Sequence, residues 1–221
     1  MSISKVGVIG AGTMGNGIAQ ACAVVGVPVV MIDINDAALQ RGLATVGGSL
    51  DRLVKKDKLS AAARQAALDL ISVGTDYALL ADCQLVIEAA TENEALKFDI
   101  LKKLDALLPA ETLLASNTSS ISITRLAAVT QRADRFIGMH FFNPVPMMAL
   151  VEVIRGLQTS DATHKAVVTL AERLGKTPVS VKNAPGFVVN RILVPMINEA
   201  LFVLGEGLAS AEDIDAAMKL G

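Results

Sequence analysis

The sequence predicts an α/β fold, with a mainly parallel sheet covered by helices on both faces and a short all-helical segment after it. Three observations carry this. Short β-branched runs alternate with helix-periodic stretches, the pattern of βαβ units. The first run ends in a glycine-rich turn that opens a helix. Strand signals stop at the breaker cluster Asn183-Ala184-Pro185-Gly186, and only helical spacing continues beyond it.

Taken in order, "ISKVGVIG" reads as a buried parallel strand, followed by a helix from Thr13 to about Val25 and a second strand, "VPVVMID". Asp36 is placed to cap a long helix running through "RLVKKDKL" and beyond. "LDLISVG" and "CQLVIEAA" are further strands with a short helix between them. Leu96, Ile100, Leu101, Leu104 and Leu108 give Glu94–Leu108 helical spacing, and "TLLAS" returns as a strand. "RFIGMHFF" and "ALVEVI" extend the sheet, followed by a helix near Asp161–Leu174 and a last strand, "TPVSVK". Past the breaker cluster, Phe187, Asn190, Val194, Ile197 and Leu201 share one helix face, with Pro195 as a kink, and Ser210 can cap a final helix, "AEDIDAAMKL". The expected division is therefore a sheet domain, 1–183, and the start of a helical domain, 184–221. The latter is too short to close a core alone.

Composition excludes several function classes. A net charge of −2 gives no basis for a nucleic-acid or anionic-membrane surface, and an aromatic share of 3% without Trp leaves no stacking platform for bases. Cys22 and Cys83 sit in aliphatic surroundings without paired spacing, as buried reduced thiols do in a cytoplasmic protein. The uncharged stretch Val6–Ile32 has the polarity of a signal segment only at its flanks. Four glycines between Gly10 and Gly17, with Thr13, Asn16, Gln20 and Pro28, break it as a strand–turn–helix–strand unit would, so no membrane or targeting role is expected.

"GAGTMG" (Gly10, Ala11, Gly12, Thr13, Met14, Gly15) stands between a strand and a helix. Gly10 permits the tight turn, Gly12 lets backbone approach a pyrophosphate, and Gly15 allows close helix–strand packing, while the helix N-terminus supplies N–H donors. The second strand ends in Asp33, where a carboxylate would accept the adenosine ribose hydroxyls and repel a 2′-phosphate. This is a Rossmann-type dinucleotide motif, and it favours NAD over NADP.

Two histidines and two scattered cysteines argue against a catalytic metal, and no Tyr-x-x-x-Lys pair is present. His140 with a carboxylate partner remains as a general base for an alcohol proton. Glu152, flanked by Val151 and Val153, is the telling residue, because a lone buried carboxylate is costly unless paired. Beside a strand ending at His140, Glu152 could accept from one imidazole nitrogen and leave the other to face substrate. Spacing alone also allows a structural ion pair or an exposed glutamate. "SNTSSIS" follows a strand at the ligand-binding sheet edge, with Ser120 or Ser122 as helix cap and Ser119 free for another role. Asn190, on an apolar stripe, needs partners in core backbone or in a substrate oxygen. His164 reads as a solvated helix position, and Arg52, Lys55, Lys56 and Lys58 as either a solvated basic face or a phosphate site.

"GVIGAGTMGNGIAQ", "VIEAATEN", "ASNTSSISI", "RFIGMHFFNPVPMMALVEVI", "GKTPVSVKNAPGFVVNRI" and "DIDAAMKLG" together resemble the (S)-3-hydroxyacyl-CoA dehydrogenase family, in register over essentially the whole chain and especially in its bacterial 3-hydroxybutyryl-CoA branch. The resemblance implies NAD as cofactor and an acyl-CoA substrate. It implies His140 as base, Glu152 as its orienting carboxylate, Ser119 at the substrate 3-oxygen and Asn190 toward the acyl group. It places Glu92, Lys97, Asn117 and Asn143 along the dinucleotide, and Ser49 and Lys56 on coenzyme A. Family members continue past "AMKLG" with helices that complete the second domain and form a homodimer interface, so a complete acyl pocket and a dimer are expected of the full family fold. Two other activities fit the same residues, a dehydrogenase of a non-CoA 3-hydroxy acid and a non-catalytic dinucleotide-binding protein.

Overall fold

The computed structural model describes residues 2–221. One eight-stranded sheet is made by β1 (Val6–Ile9), β2 (Val29–Ile32), β3 (Ile71–Gly74), β4 (Leu85–Glu88), β5 (Leu113–Ser116), β6 (Phe136–Phe141), β7 (Leu150–Arg155) and β8 (Thr177–Lys182). The helices are α1 (Thr13–Val24), α2 (Asp36–Lys55), α3 (Ala61–Asp69), α4 (Glu94–Leu107), α5 (Ile123–Ala127), α6 (Asp161–Arg173), α7 (Val189–Gly205) and α8 (Ala211–Leu220). Strand order is β3-β2-β1-β4-β5-β6-β7-β8, reversing direction of growth at β1. Every neighbouring pair is parallel except β6 and β7, which run antiparallel.

The central strands are aliphatic on both faces because both faces are covered. In β2, Val29 and Met31 enter one hydrophobic cluster with Ile18, Leu39, Val46 and Val153, while Val30 and Ile32 enter another with Leu101, Leu104 and Phe136. Polar residues come at the carboxyl ends, Glu88 on β4, Ser116 on β5 and His140 near the end of β6. Those ends form the rim where ligands of open α/β sheets bind. Cys22 and Cys83 are buried and unpaired, and burial pushes their thiols up to about 12 and about 11. Among the described residues no helix is long and apolar enough to cross a membrane.

The structure departs from the sequence reading in several places. Asn35, not Asp36, caps α2, accepting from the Ala38 N–H at 2.9 Å, and Asp36 lies in the first helical turn. The long helix is two helices. Asp57 turns left-handed (φ 53°) after α2, and Ser60 caps α3, which takes in Leu68 and Asp69 and shortens the next strand to Ile71–Gly74. The apolar stripe of α7 is not covered: Val194, Ile197 and Leu201 are 60%, 51% and 61% exposed. Little among the described residues lies against them, α8 making the main helix contact.

Gly15 leaves no room for a side chain. A Cβ there would be driven into the Gly10 carbonyl, and Gly10 itself is left-handed (φ 101°). Gly15→Ala is expected to force α1 off the glycine turn, at a cost of about 1–3 kcal/mol, and to raise the Kd for NADH. Thermal unfolding and fluorescence titration read the two effects.

Candidate active site

Among the described residues, six of the eight α-helices carry a side-chain cap, at Asn35, Ser60, Asn93, Ser122, Ser160 and Ser210. Helix α1 carries none. Its N-cap is Gly12, where an added Cβ would meet nothing within 4 Å, and no acidic side chain lies in its first turn. Its leading N–H groups therefore face open space with the positive end of the helix behind them, which fits a pyrophosphate. Beside them, Asp33 Oδ2 accepts the Ala11 N–H at 2.6 Å and Oδ1 accepts the Ile34 N–H at 2.7 Å. Ala11, Gly12, Thr13 and Asp33 share a cleft of about 310 Å³. The dinucleotide expected from the sequence fits these residues.

The antiparallel register sets His140 of β6 directly opposite Glu152 of β7. Both are buried, 6% and 0% exposed, and His140 Nδ1 lies 2.8 Å from Glu152 Oε2. A carboxylate only accepts, so Nδ1 carries a proton, and in the neutral imidazole Nε2 keeps its lone pair. Among the described residues no protein group hydrogen-bonds Nε2. Glu152 Oε1 accepts the N–H groups of Val188 (2.9 Å) and Val189 (3.0 Å), which supplies the cap that α7 lacks in its own sequence. Three donors thus offset the desolvation of this carboxylate. The turn that aims those N–H groups holds Gly186 (φ 74°) and, unusually for a bulky residue, Phe187 (φ 51°) in left-handed conformation. The Phe187 ring is buried 5.8 Å from the imidazole, and Phe142 lies at 4.4 Å.

Ser122 caps α5, which leaves Ser119 and Ser120 in the turn before it. Glu92 gathers that turn. Its Oε1 accepts from the Thr118 hydroxyl, the Ser119 N–H (3.0 Å), the Ser120 hydroxyl (3.1 Å) and, more distantly, the Ser119 hydroxyl (3.3 Å). Partial burial pushes the Glu92 carboxyl up, but the Thr118 hydroxyl, the Lys97 ammonium and the Ser119 and Ser120 donors outweigh it, so the group is held below the usual range. With a folded-state value below the unfolded one, its stabilisation is present above the ordinary carboxylate range and is lost as pH falls through the depressed value. The Tm difference between the parent and Glu92→Gln is therefore expected to be widest near neutral pH and to close in strong acid. A pH series of melting curves checks it.

The other expected residues divide. Lys97 is buried against Glu88, with Nζ at 2.7 and 2.9 Å from its two oxygens. Asn117 spends its Oδ1 on the Phe141 N–H (2.9 Å), tying β5 to β6. Asn190 is half-buried rather than enclosed, and its Nδ2 lies 3.5 Å from the Ser119 carbonyl oxygen, which brings those two residues together. Asn143 is exposed on the β6–β7 loop, which Lys176 pins through the Val145 and Met148 carbonyls at 2.6 and 2.8 Å. Asn143 shares a cleft of about 320 Å³ with Ser49, Arg52, Lys56 and Lys58. Ser49 and Lys56 stand on the α2 side of that cleft, apart from His140. His164, read from the sequence as solvated, is half-buried, with Nε2 2.8 Å from Ser180 Oγ. Glu88 and Thr118 take part in the site although the sequence reading did not single them out, and Phe187, read above as part of the Asn190 helix face, precedes α7 and is buried beside His140.

A mainly parallel sheet whose order reverses beside an uncapped glycine-turn helix, with Asp33 at the end of the next strand, is the framework of a Rossmann-type, dinucleotide-dependent oxidoreductase. Comparison with known proteins narrows the class. Residues 5–184 match the 3-hydroxyacyl-CoA dehydrogenase NAD binding domain, and residues 186–221 match the 3-hydroxyacyl-CoA dehydrogenase C-terminal domain. The chain belongs to the NAD-dependent 3-hydroxyacyl-CoA dehydrogenase family. It is 52% identical over 219 residues to a 3-hydroxybutyryl-CoA dehydrogenase of Bradyrhizobium diazoefficiens, covering 99% of this chain and 75% of that protein. To the human mitochondrial hydroxyacyl-coenzyme A dehydrogenase it is 45% identical, covering 99% and 72%. The crystal structure of (S)-3-hydroxybutyryl-CoA dehydrogenase from Ralstonia eutropha superposes with a TM-score of 0.98 at 68% identity, over 100% of this chain and 78% of that one. The chain thus spans about three-quarters of the length of such relatives.

Proposed function

We propose that the protein oxidises a short-chain (S)-3-hydroxyacyl-CoA, with (S)-3-hydroxybutyryl-CoA as the preferred substrate, reversibly to the 3-oxoacyl-CoA. The observation that carries this is the buried His140–Glu152 contact, which holds the imidazole by Nδ1 and leaves Nε2 without a protein partner among the described residues. His140 Nε2 takes the 3-hydroxyl proton, and Glu152, ionised beside Nδ1, stabilises the imidazolium that results. The Ser119 hydroxyl hydrogen-bonds the 3-oxygen, and Asn190, 3.5 Å from the Ser119 carbonyl oxygen, faces the acyl group from α7. Bound NAD supplies the hydride acceptor. Gly10 to Gly15 and Asp33 hold its adenosine half, with Glu92, Lys97, Asn117 and Asn143 toward the nicotinamide. Ser49 and Lys56, with Arg52 and Lys58 beside them, hold coenzyme A phosphates across the cleft. The exposed apolar side chains of α7 suit a homodimer interface, which a native mass measurement tests.

NADH oxidation driven by acetoacetyl-CoA, compared with free acetoacetate at equal concentration, tests this reading. Rapid turnover of the thioester alone is expected. Equal rates would remove the coenzyme A site, and NADH binding without any turnover would remove the reaction.

A further inference from the structure

The floor of the site holds a second carboxylate that the reaction as drawn does not use. Glu88, the last residue of β4, is 0% exposed and lies beside Ser116 in the β4–β5 register. Its Oε1 accepts the Ala90 N–H and the Lys97 ammonium, each at 2.7 Å, and its Oε2 accepts Lys97 at 2.9 Å and the Ser116 hydroxyl at 2.6 Å. Lys97 is 1% exposed, donates also to the Ala90 carbonyl at 3.2 Å, and lies 3.6 Å from Glu92 Oε2. The other oxygen of Glu92 organises Thr118, Ser119 and Ser120. Four side chains therefore run in contact from the sheet floor to the turn that carries Ser119.

A buried ammonium needs a carboxylate, and Lys97 has two within reach at unequal distances. The nearer one sets how strongly the farther one is drawn. We propose that Glu88 is a positioning residue for the hydride-transfer reaction. By neutralising Lys97 at the sheet floor it leaves Glu92 to the 118–120 turn, and so fixes the direction of the Ser119 hydroxyl. Without the Glu88 charge, Glu92 is the remaining carboxylate partner of Lys97 and is pulled away from the turn. The proposal rests on the role given to Ser119 above, and it separates Glu88 from an ion pair that serves the fold alone.

Glu88→Gln keeps the size and one acceptor but removes the charge. At saturating NADH and acetoacetyl-CoA its kcat is expected to fall by about tenfold or more, since a misplacement of ~1 Å at a reacting group can cost up to ~10²-fold, while KM for acetoacetyl-CoA stays within about twofold. Because the effect passes through Glu92, adding Glu88→Gln to a Glu92→Gln background should change kcat by no more than about twofold. Ser116→Ala, which deletes one donor to Glu88, should lower kcat in the same direction and by less, and it stands in if Glu88→Gln does not fold. A Glu88→Gln (or Ser116→Ala) protein with lowered Tm and unchanged kcat overturns the proposal, as does a kcat loss that is undiminished in the Glu92→Gln background. An active parent with that outcome leaves the proposed reaction standing, whereas a parent without acetoacetyl-CoA turnover sinks both.

Discussion

His140→Gln is expected to lower kcat for acetoacetyl-CoA reduction by roughly 10²–10⁴-fold, the usual contribution of a positioned acid–base group. Gln can still donate an N–H toward Glu152, so the buried carboxylate keeps a partner and the fold should survive. NADH binding should be unaffected, because the glycine turn and Asp33 lie on other strands. The informative measurement is kcat and KM together, with an NADH titration as control. A loss in kcat and kcat/KM alike marks an interaction made in the transition state. Unchanged kcat would take His140 out of the mechanism.

Substitution of Glu152 should separate two tasks. Glu152→Ala strips acceptors from the imidazole Nδ1–H and from the Val188 and Val189 N–H groups at once. A loss of about 3–5 kcal/mol in stability is expected, as for other broken buried pairs. Glu152→Gln can keep its carbonyl oxygen on the two backbone donors and turn its amide toward His140. The amide would then donate to Nδ1 and drive the proton onto Nε2, the wrong tautomer for a base, with kcat down by about 10³–10⁴-fold. Urea unfolding and kcat measured on both variants check the contrast, in which Ala loses more stability than Gln. Equal stability losses would mean that the α7 contact contributes little.

The glycine turn and the facing strands were legible because they follow short-range rules. "GAGTMG" between a β-branched run and a helical run needs no tertiary information, and Glu152 among valines signals a partner by the cost of burial alone. The same signal was present in "LVIEAA", where Glu88 is equally enclosed by aliphatics, but its partner Lys97 is reached only when α4 folds back over the end of β4. The donors on Glu152 Oε1 were hidden for a like reason. They are backbone N–H groups, which carry no residue type, and they point at the carboxylate only through the left-handed turn at Gly186 and Phe187. The break between α2 and α3 was masked by good helix formers on either side of Asp57. Asn190 was placed among apolar neighbours correctly by spacing, but spacing does not reveal that those neighbours on α7 face solvent.

The shared carboxylate of Glu152 has a thermodynamic consequence. One oxygen holds the imidazole and the other holds the first turn of α7, so docking of that helix and alignment of the base are linked equilibria. Linkage is reciprocal. Whatever seats α7 more firmly, whether an acyl group against Asn190 or a partner on its apolar face, must favour the oriented histidine by the same factor. Substrate engagement and readiness for proton transfer are thereby interlocked through a single side chain.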